Sequence, residues 1–247
     1  MRYDFSGFKI VADTPIEIKA AEFFAEEIEL RTGFNPEIVN KVPADNFVSL
    51  RIEDESESEE YSVEHNGNTV VITAHRLRSL IYGFAEFLKK AVYENGRIFL
   101  VKDISIKRNP SMQIRGHQLS YTNMNNTVDM WGKAEYERYI RDLMLFGTNM
   151  VEADSGVREE KSTLMRFSQK EMLIAMSEIC LEYDIDLSVW HELWSKDSDE
   201  ETMAKMHKLY DDLPKLDVLF PPGGDPGDMQ GEAFVQRCVK MKREMQK

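Results

Sequence analysis

The stretch YIRDLMLFGTNMVE, residues 139–152, contains the change of pattern that decides the fold. Its first half continues an apolar stripe at helical spacing, which predicts an amphipathic helix from Lys133 to Phe146. Gly147 predicts the end of that helix, because glycine tolerates the left-handed backbone found where helices terminate. The residues that follow, TNMVEA at 148–153, predict a strand. A helix that gives way to a strand within a few residues is typical of a chain built from repeated strand–helix units.

Four such units are predicted in residues 109–247. Their strands are predicted at 112–120, 148–153, 185–190 and 216–220. Capping boxes predict the starts of the second and third helices, since a serine followed three residues later by a glutamate satisfies the first backbone N–H groups. These boxes are Ser168 with Glu171 and Ser198 with Glu201. A last helix is predicted from Glu232 to the end of the sequence.

Successive strand–helix units predict a parallel sheet with right-handed crossovers, which fits either an open doubly wound sheet or a barrel. The nucleotide-binding open sheets carry a glycine-rich turn directly after their first strand. The corresponding residues, Arg115-Gly116-His117, do not match that pattern. We therefore predict an α/β fold that contains the first four units of an eight-unit (β/α) barrel, that is, a partial barrel.

Residues 1–108 show a different pattern and predict a small α+β domain. Its strands are predicted at 8–12, 47–52, on either side of the turn Asn66-Gly67, and at 97–101. One helix is predicted from the cap Thr14-Pro15 to Thr32-Gly33, and a second over 76–92. The segment 102–111 is predicted to be a linker between the two domains.

Composition excludes several classes of function. The chain has 247 residues and a net charge of −13, and nucleic-acid binding needs a cationic face that such a chain lacks. No apolar run reaches the roughly 18 residues of a membrane span, and the N-terminus lacks the apolar region of a signal peptide. We expect a cytoplasmic protein from the sequence as written, or a periplasmic or secreted one if a leader precedes it. Cys180 and Cys238 fall in predicted helices and are predicted to be unpaired core residues.

Polar and aromatic side chains gather where the predicted strands end. In a barrel of this type the loops after the strands form the working face. The candidates are His117, Gln118, Tyr121, Asn123, Asn125 and Asn126 after the first strand, Glu152 and Asp154 after the second, Trp190, His191, Glu192 and Trp194 after the third, and Asp225 and Asp228 after the fourth. Polar groups that bind hydroxyls, together with rings that stack on a pyranose, predict a carbohydrate-binding site.

No cofactor is predicted. His117 with His191-Glu192 has no zinc-binding spacing, so no metal site is predicted either. Neither cysteine lies on a loop after a strand, and the G-x-S-x-G motif of serine hydrolases is absent.

Four segments in this order resemble one group of glycoside hydrolases: SLIYGFAEFL (79–88), RNPSMQIRGHQLSY (108–121), YIRDLMLFGTNMVE (139–152) and VLFPPGGDPGD (218–228). The chain resembles enzymes with an α+β domain ahead of a (β/α)8 barrel, namely the family 67 α-glucuronidases and the family 20 β-hexosaminidases. The resemblance covers nearly the whole chain.

The resemblance implies that an acid after the fourth strand protonates the leaving oxygen, and Asp225 is the matching position. The hexosaminidases carry an Asp-Glu pair there, whereas Asp225 is followed by Pro226, which is nearer to the single acid and Pro/Gly turn of the α-glucuronidases. The resemblance places the catalytic base on later strands, outside this sequence. A uronic acid substrate would call for an arginine, with Arg115 and Arg158 as candidates.

Two hypotheses for function stay open. The first is a glycoside hydrolase acting on oligosaccharides that contain uronic acids or amino sugars, with Asp225 as catalytic acid and weak or no activity in the isolated chain. The second is a non-catalytic carbohydrate-binding or interaction module. In both, the partner is an oligosaccharide. The open edges of a partial barrel are an association hazard, so we expect the chain to be either a truncated form or a half-barrel that pairs with another chain, for example in a homo-oligomer.

Overall fold

The computed structural model describes residues 2–122, 127–154, 164–224 and 227–246. The chain divides into two compact units, Met1–Gln113 with Met144–Gly147, and Ile114–Leu143 with Thr148–Lys247. Within the described ranges no helix is both long and apolar enough to cross a membrane.

The first unit contains a larger mixed sheet, a smaller antiparallel sheet and two helices. Its strands are β1 (Tyr3–Asp4), β2 (Lys9–Val11), β3 (Ile38–Val39), β4 (Phe47–Ile52), β5 (Tyr61–Asn66), β6 (Thr69–Ala74), β7 (Ala91–Glu94), β8 (Arg97–Leu100) and β9 (Ser105–Arg108), and its helices are α1 (Pro15–Thr32) and α2 (Leu77–Lys90). The larger sheet has the order β3-β2-β4-β6-β5-β9, and β1-β8-β7 form a smaller one. The predicted Asn66-Gly67 hairpin is confirmed, with β5 and β6 paired antiparallel across it.

Helix α1 begins and ends as its sequence predicts. The Thr14 hydroxyl accepts a hydrogen bond from the Glu17 backbone N–H, and Gly33 closes the helix with a φ of 74°. The Glu17 carboxylate is buried and also accepts the backbone N–H of Ile52 on β4, at 2.9 Å. Burial alone would raise the pKa of Glu17, but hydrogen bonds from Thr14, Asp13 and Ile52 outweigh it and lower the pKa.

Helix α2 lies close against the larger sheet at Gly83. A Cβ atom at this position would lie 2.5 Å from Cγ2 of Ile72 on β6, so the close approach requires glycine. Around this contact the fully buried aromatic rings of the unit form its core. These rings are Phe5, Phe8, Phe24, Phe84 and Phe87.

Several segments of this unit differ from prediction, among them the short strands β1 and β3, which were not predicted. The helix expected over 76–92 ends at Lys90, and Ala91–Glu94 form β7, because Asn95 and Gly96 adopt positive φ values of 51° and 74° and build a tight hairpin to β8. The predicted linker 102–111 contains β9, which pairs antiparallel with β5.

The second unit contains a four-stranded parallel sheet. Its elements are β10 (Gly116–Leu119), a 3-10 helix (Thr127–Met130), α3 (Lys133–Leu145), β11 (Met150–Asp154), α4 (Gln169–Glu182), β12 (Asp186–Trp190), α5 (Asp199–Tyr210), β13 (Val218–Phe220) and α6 (Gly231–Met245). The strands lie in sequential order and all pair in parallel, as predicted. Both predicted capping boxes are present, at the starts of α4 and α5.

The two faces of this sheet differ in chemistry. Side chains alternate between the faces along each strand, and the strand register aligns them into rows. One face, here called the helix face, is apolar and packs toward α3 and α4. Its buried residues are Leu119, Val151, Ala153, Leu187 and Val189. The opposite face, here called the open face, carries the polar and aromatic residues of the candidate site.

Candidate functional site

A row of polar side chains crosses the open face over three strands. The register aligns Gln118 on β10 with Glu152 on β11 and Ser188 on β12. The Gln118 side-chain amide donates a hydrogen bond to Glu152, with 3.1 Å between Nε2 and Oε1. Burial raises the pKa of the Glu152 carboxyl, although hydrogen bonds from Ser188 and Gln118 act in the opposite direction. Glu152 therefore loses its proton at a higher pH than an ordinary glutamate does.

An aromatic pair lies one step further toward the carboxyl ends of the strands. Trp190 on β12 aligns with Phe220 on β13, and their rings meet edge to face with centroids 5.6 Å apart. Phe220 is 47% exposed and Trp190 is half-buried, so both rings retain accessible surface. Asp154 aligns with Trp190 on the same face. The open face thus combines hydrogen-bonding groups with a partly exposed aromatic surface.

His117 and His191 lie on the helix face, away from this row. The ring of His117 is 3.2 Å from the Tyr139 hydroxyl on α3. His191 is buried, and its Nδ1 is 2.5 Å from the Tyr210 hydroxyl on α5. Burial lowers the pKa of His191 to about 4, with a further contribution from Lys205. The structure gives both histidines hydrogen-bonded positions between sheet and helices, and does not bring them to Glu152.

Tyr121 is also packed inside the unit. It is buried, its hydroxyl donates to the Phe167 carbonyl at 3.2 Å, and it accepts the Phe167 backbone N–H at 3.1 Å. Its ring meets Tyr136 edge to face. This position fixes the start of the segment after β10, and it does not favour the predicted role in stacking on a sugar.

The loop between β12 and α5, residues 191–198, carries Glu192 and Trp194, both half-buried. The Lys196 ammonium lies 5.5 Å from the centroid of the Trp194 ring. Asp228, a predicted site residue, accepts hydrogen bonds from the backbone N–H and the hydroxyl of Ser195, at 2.5 and 2.7 Å. These bonds lower the pKa of the Asp228 carboxyl.

Arg237 on α6 was not identified from the sequence. It is buried, and its guanidinium donates to the backbone carbonyls of Asp197 and Trp194 and to the Asp199 carboxylate on α5. A single arginine in an amphipathic helix gives no sequence signal for such a role, because the partner carbonyls come from a distant loop.

Several predicted candidates lie outside the described residues. These are Asn123, Asn125, Asn126, Arg158 and Asp225. Arg115, the other arginine candidate, immediately precedes β10. In the part of the chain that the structure describes, no group of three or more His, Cys, Asp or Glu residues is placed to hold a metal ion.

The comparisons with known proteins place the fold. No protein-family model matches the sequence, and no curated protein sequence matches it. Among solved structures, the N-acetyl-β-hexosaminidase of Streptomyces plicatus aligns with a TM-score of 0.63 at 14% identity, covering 90% of this chain and 49% of that chain. The chitobiase of Flavobacterium johnsoniae aligns with a TM-score of 0.61 at 15% identity, covering 100% and 45%.

A third structure, the family 20 exo-β-N-acetylglucosaminidase of Vibrio harveyi in complex with N-acetylglucosamine, gives a TM-score of 0.60 at 12% identity, covering 78% and 34%. The chain therefore spans less than half the length of these three proteins. Its fold resembles that of family 20 glycoside hydrolases, as the sequence predicted.

Proposed function

We propose that this protein is a carbohydrate-active protein of the glycoside hydrolase type, with its sugar site on the open face of the parallel sheet. The observation that carries the proposal is the row Gln118–Glu152–Ser188 beside the aromatic pair Trp190–Phe220. The Gln118 amide and the Glu152 carboxyl can exchange hydrogen bonds with sugar hydroxyls, the buried Ser188 supports Glu152 with a hydrogen bond, and an aromatic ring packs on the apolar face of a pyranose. The fold resemblance supports the same class of ligand.

N-Acetylglucosamine oligosaccharides are the first substrate class to test, because the Vibrio harveyi structure contains N-acetylglucosamine. Oligosaccharides that contain a uronic acid are the second, since Asp225 followed by Pro226 is nearer to the α-glucuronidase pattern than to an Asp-Glu pair. The two classes differ in charge, and a chain of net charge −13 opposes binding of a uronate unless a cation faces it.

For hydrolysis, Asp225 is proposed to give a proton to the glycosidic oxygen as the bond breaks. A general acid must lie within hydrogen-bond reach of that oxygen. The sequence places prolines at 221, 222 and 226 near Asp225, and proline limits the backbone conformations open to a segment. Outside the substrate-assisted families, of which family 20 is one, a glycosidase also needs a second carboxylate, about 5.5 Å away for retention and roughly 6.5–9.5 Å for inversion. We propose that strands added beyond β13 supply it, as in a complete barrel.

The exposed edge of β13 supports the addition of further strands to the sheet. Among the described residues β13 pairs with β12 and has no strand on its other side. A cavity of about 550 Å³ lies there between β13 and α6, lined by apolar side chains that include Leu219, Phe234 and Met241. A further parallel strand would pair with β13 and fill this cavity, with its helix covering the exposed Val235 and Val239 of α6. The four-stranded sheet is thereby proposed to be part of a barrel that another segment or chain completes.

The experiment is a calorimetric titration with chitotriose and, separately, with an aldouronic acid trimer, each combined with a reducing-sugar release assay. We expect binding that Trp190→Ala abolishes and that Trp131→Phe leaves unchanged, because Trp131 packs against Tyr136 and Tyr139 rather than on the open face. Release of sugar that Asp225→Asn removes supports a hydrolase. Binding of a sugar without its release as product supports the non-catalytic module. If neither sugar binds, the proposed function is contradicted.

A further inference from the structure

The loop between β12 and α5 is held by residues that follow it in the chain by more than 30 positions. It includes Trp194, whose backbone carbonyl accepts hydrogen bonds from Asp197 N–H at 3.2 Å and from Arg237 at 3.3 Å. The first bond closes a turn within the loop, and the second attaches that turn to α6. The position of the Trp194 indole therefore depends on groups outside the loop itself.

Arg237 forms the inner attachment. Its guanidinium is buried and reaches the Asp197 carbonyl at 2.7 Å, the Thr202 hydroxyl at 3.1 Å and the Asp199 carboxylate at 2.9 Å. A guanidinium presents several N–H donors in one rigid plane, so a single side chain can fix two loop carbonyls and the first turn of α5 together. Lysine cannot reproduce this planar arrangement.

Asp228 and Gly227 form the outer attachment. The two Asp228 carboxylate oxygens accept the N–H and the hydroxyl of Ser195. Gly227 lies against the same loop, since a Cβ there would be 2.6 Å from the Leu193 carbonyl oxygen, and its φ of 123° strongly favours glycine. The segment 227–228, which directly follows Asp225 and Pro226, is thus packed on the loop that carries Trp194.

We propose that Arg237 and Asp228 are positioning residues that hold Trp194 in place to contact the bound sugar, an inference that rests on the proposed function. Neither side chain needs to touch the sugar. Arg237 fixes the backbone on both sides of Ser195, and Asp228 ties the same residue to the segment after the proposed acid. Because the segment 227–228 packs on the Trp194 loop, this attachment connects the loop to the residues that lead into α6.

The test uses matched variants of the full chain labelled with ¹⁵N at tryptophan. The three indole signals, from Trp131, Trp190 and Trp194, are assigned by single Trp→Phe substitutions. Asp228→Ala removes both acceptors, whereas Asp228→Asn can still accept from the Ser195 N–H and donate to its hydroxyl. Arg237→Met removes the inner attachment, and Lys240→Met is its control, because Lys240 also pairs with Asp199 but does not reach the loop carbonyls.

We expect Asp228→Ala and Arg237→Met to shift or broaden the Trp194 signal while Trp131 stays in place. Asp228→Asn and Lys240→Met should resemble the wild type. The sugar Kd should rise about tenfold in the first pair, the equivalent of about 1.4 kcal/mol, and little in the second.

An unchanged Trp194 signal in both Asp228→Ala and Arg237→Met overturns the proposal, as does an equal loss of affinity in Lys240→Met. Asp228 is exposed, so its variants are expected to fold even if Arg237→Met does not. If the wild type binds no sugar while Trp194 still responds to the variants, the proposed function fails and the attachment of the loop stands.

Discussion

The Gln118 side-chain amide and the Glu152 carboxylate are joined across β10 and β11 by a hydrogen bond of 3.1 Å on the open face of the parallel sheet. The amide approaches a carboxyl group whose pKa is raised by burial. Glu152 can therefore accept hydrogen bonds when ionised and donate one when protonated, and it stays protonated to a higher pH than an ordinary glutamate. This pair is the polar centre of the proposed sugar site.

Glu152→Gln is predicted to change the pH dependence of stability in a defined direction. A carboxyl with a raised pKa in the folded state is charged more easily in the unfolded chain, so the contribution of Glu152 to stability falls as pH rises from its ordinary pKa of 4.5. Glutamine keeps the acceptor for Gln118 but cannot ionise. The stability of the variant relative to wild type should therefore rise with pH through this window and then level off.

The measurement is urea unfolding followed by tryptophan fluorescence at a series of pH values. All three tryptophans belong to the second unit, so their signal reports on the unit that contains Glu152. A relative stability that stays flat or falls as pH rises would show that Glu152 is not destabilised by its charge.

Glu17→Gln is predicted to show the opposite pH dependence in the first unit. The pKa of Glu17 is lowered, so its stabilising contribution is present above its ordinary value of 4.5 and is lost as pH falls through the folded-state pKa. The substitution places an amide against N–H donors of Thr14, Asp13 and Ile52, and we expect a loss of about 1–3 kcal/mol near pH 7. Unfolding followed by far-UV circular dichroism should show this loss shrinking toward acid pH; a loss that grows toward acid pH would contradict it.

Gly83→Ala is predicted to destabilise the first unit although alanine is the better helix former. The new methyl group would meet Cγ2 of Ile72 at 2.5 Å, and overpacking of this kind costs about 1–3 kcal/mol. The double-mutant cycle with Ile72→Ala is the control, since removing Cγ2 opens the space. If Gly83→Ala is equally destabilising in both backgrounds, the close contact between α2 and β6 is not the reason.

Two histidines of the second unit, the buried His191 and the exposed His207, offer a direct check on their surroundings. His191 is predicted to titrate at about 4, because its ring is buried against Tyr210. His207 should titrate above its ordinary value of 6.5, because Asp211 and Glu244 face its ring. Imidazole signals followed by NMR against pH test both, and a His191 signal that titrates near 6.5 would mean that the ring is solvated.

The sequence predicted the elements well wherever local chemistry determines them. The cap Thr14-Pro15 predicted the start of α1, capping boxes predicted the starts of α4 and α5, and Gly33 predicted the end of α1. The turn residues Asn95-Gly96 indicate a hairpin and therefore a strand before them, which is β7. The predicted helix was extended to residue 92, because the apolar pattern of α2 continues into that strand. Strand β9 was missed because its pairing with β5 depends on the tertiary fold, not on a local pattern.

The site was predicted by its chemistry but not by its geometry. The prediction treated all residues at the end of one strand as members of one site. Successive side chains of a strand point to opposite faces, however, and this separates Gln118 from His117 and Trp190 from His191. Side-chain alternation, applied to each strand, would have placed Gln118, Glu152 and Trp190 together on the face opposite to the apolar residues. Arg237 could not be found this way, because its role arises from loop carbonyls brought to it by folding.

The central claim is that the open face binds a sugar, and one titration addresses it most directly. Chitotriose is added to the ¹⁵N-tryptophan protein while the indole signals of Trp131, Trp190 and Trp194 are recorded, and the aldouronic acid trimer is then tested in the same way. We predict saturable shifts of Trp190 and Trp194 with one of the sugars and none of Trp131, which packs between Tyr136 and Tyr139. Signals that do not move with either sugar, or that move equally at all three tryptophans, would contradict a sugar site on this face.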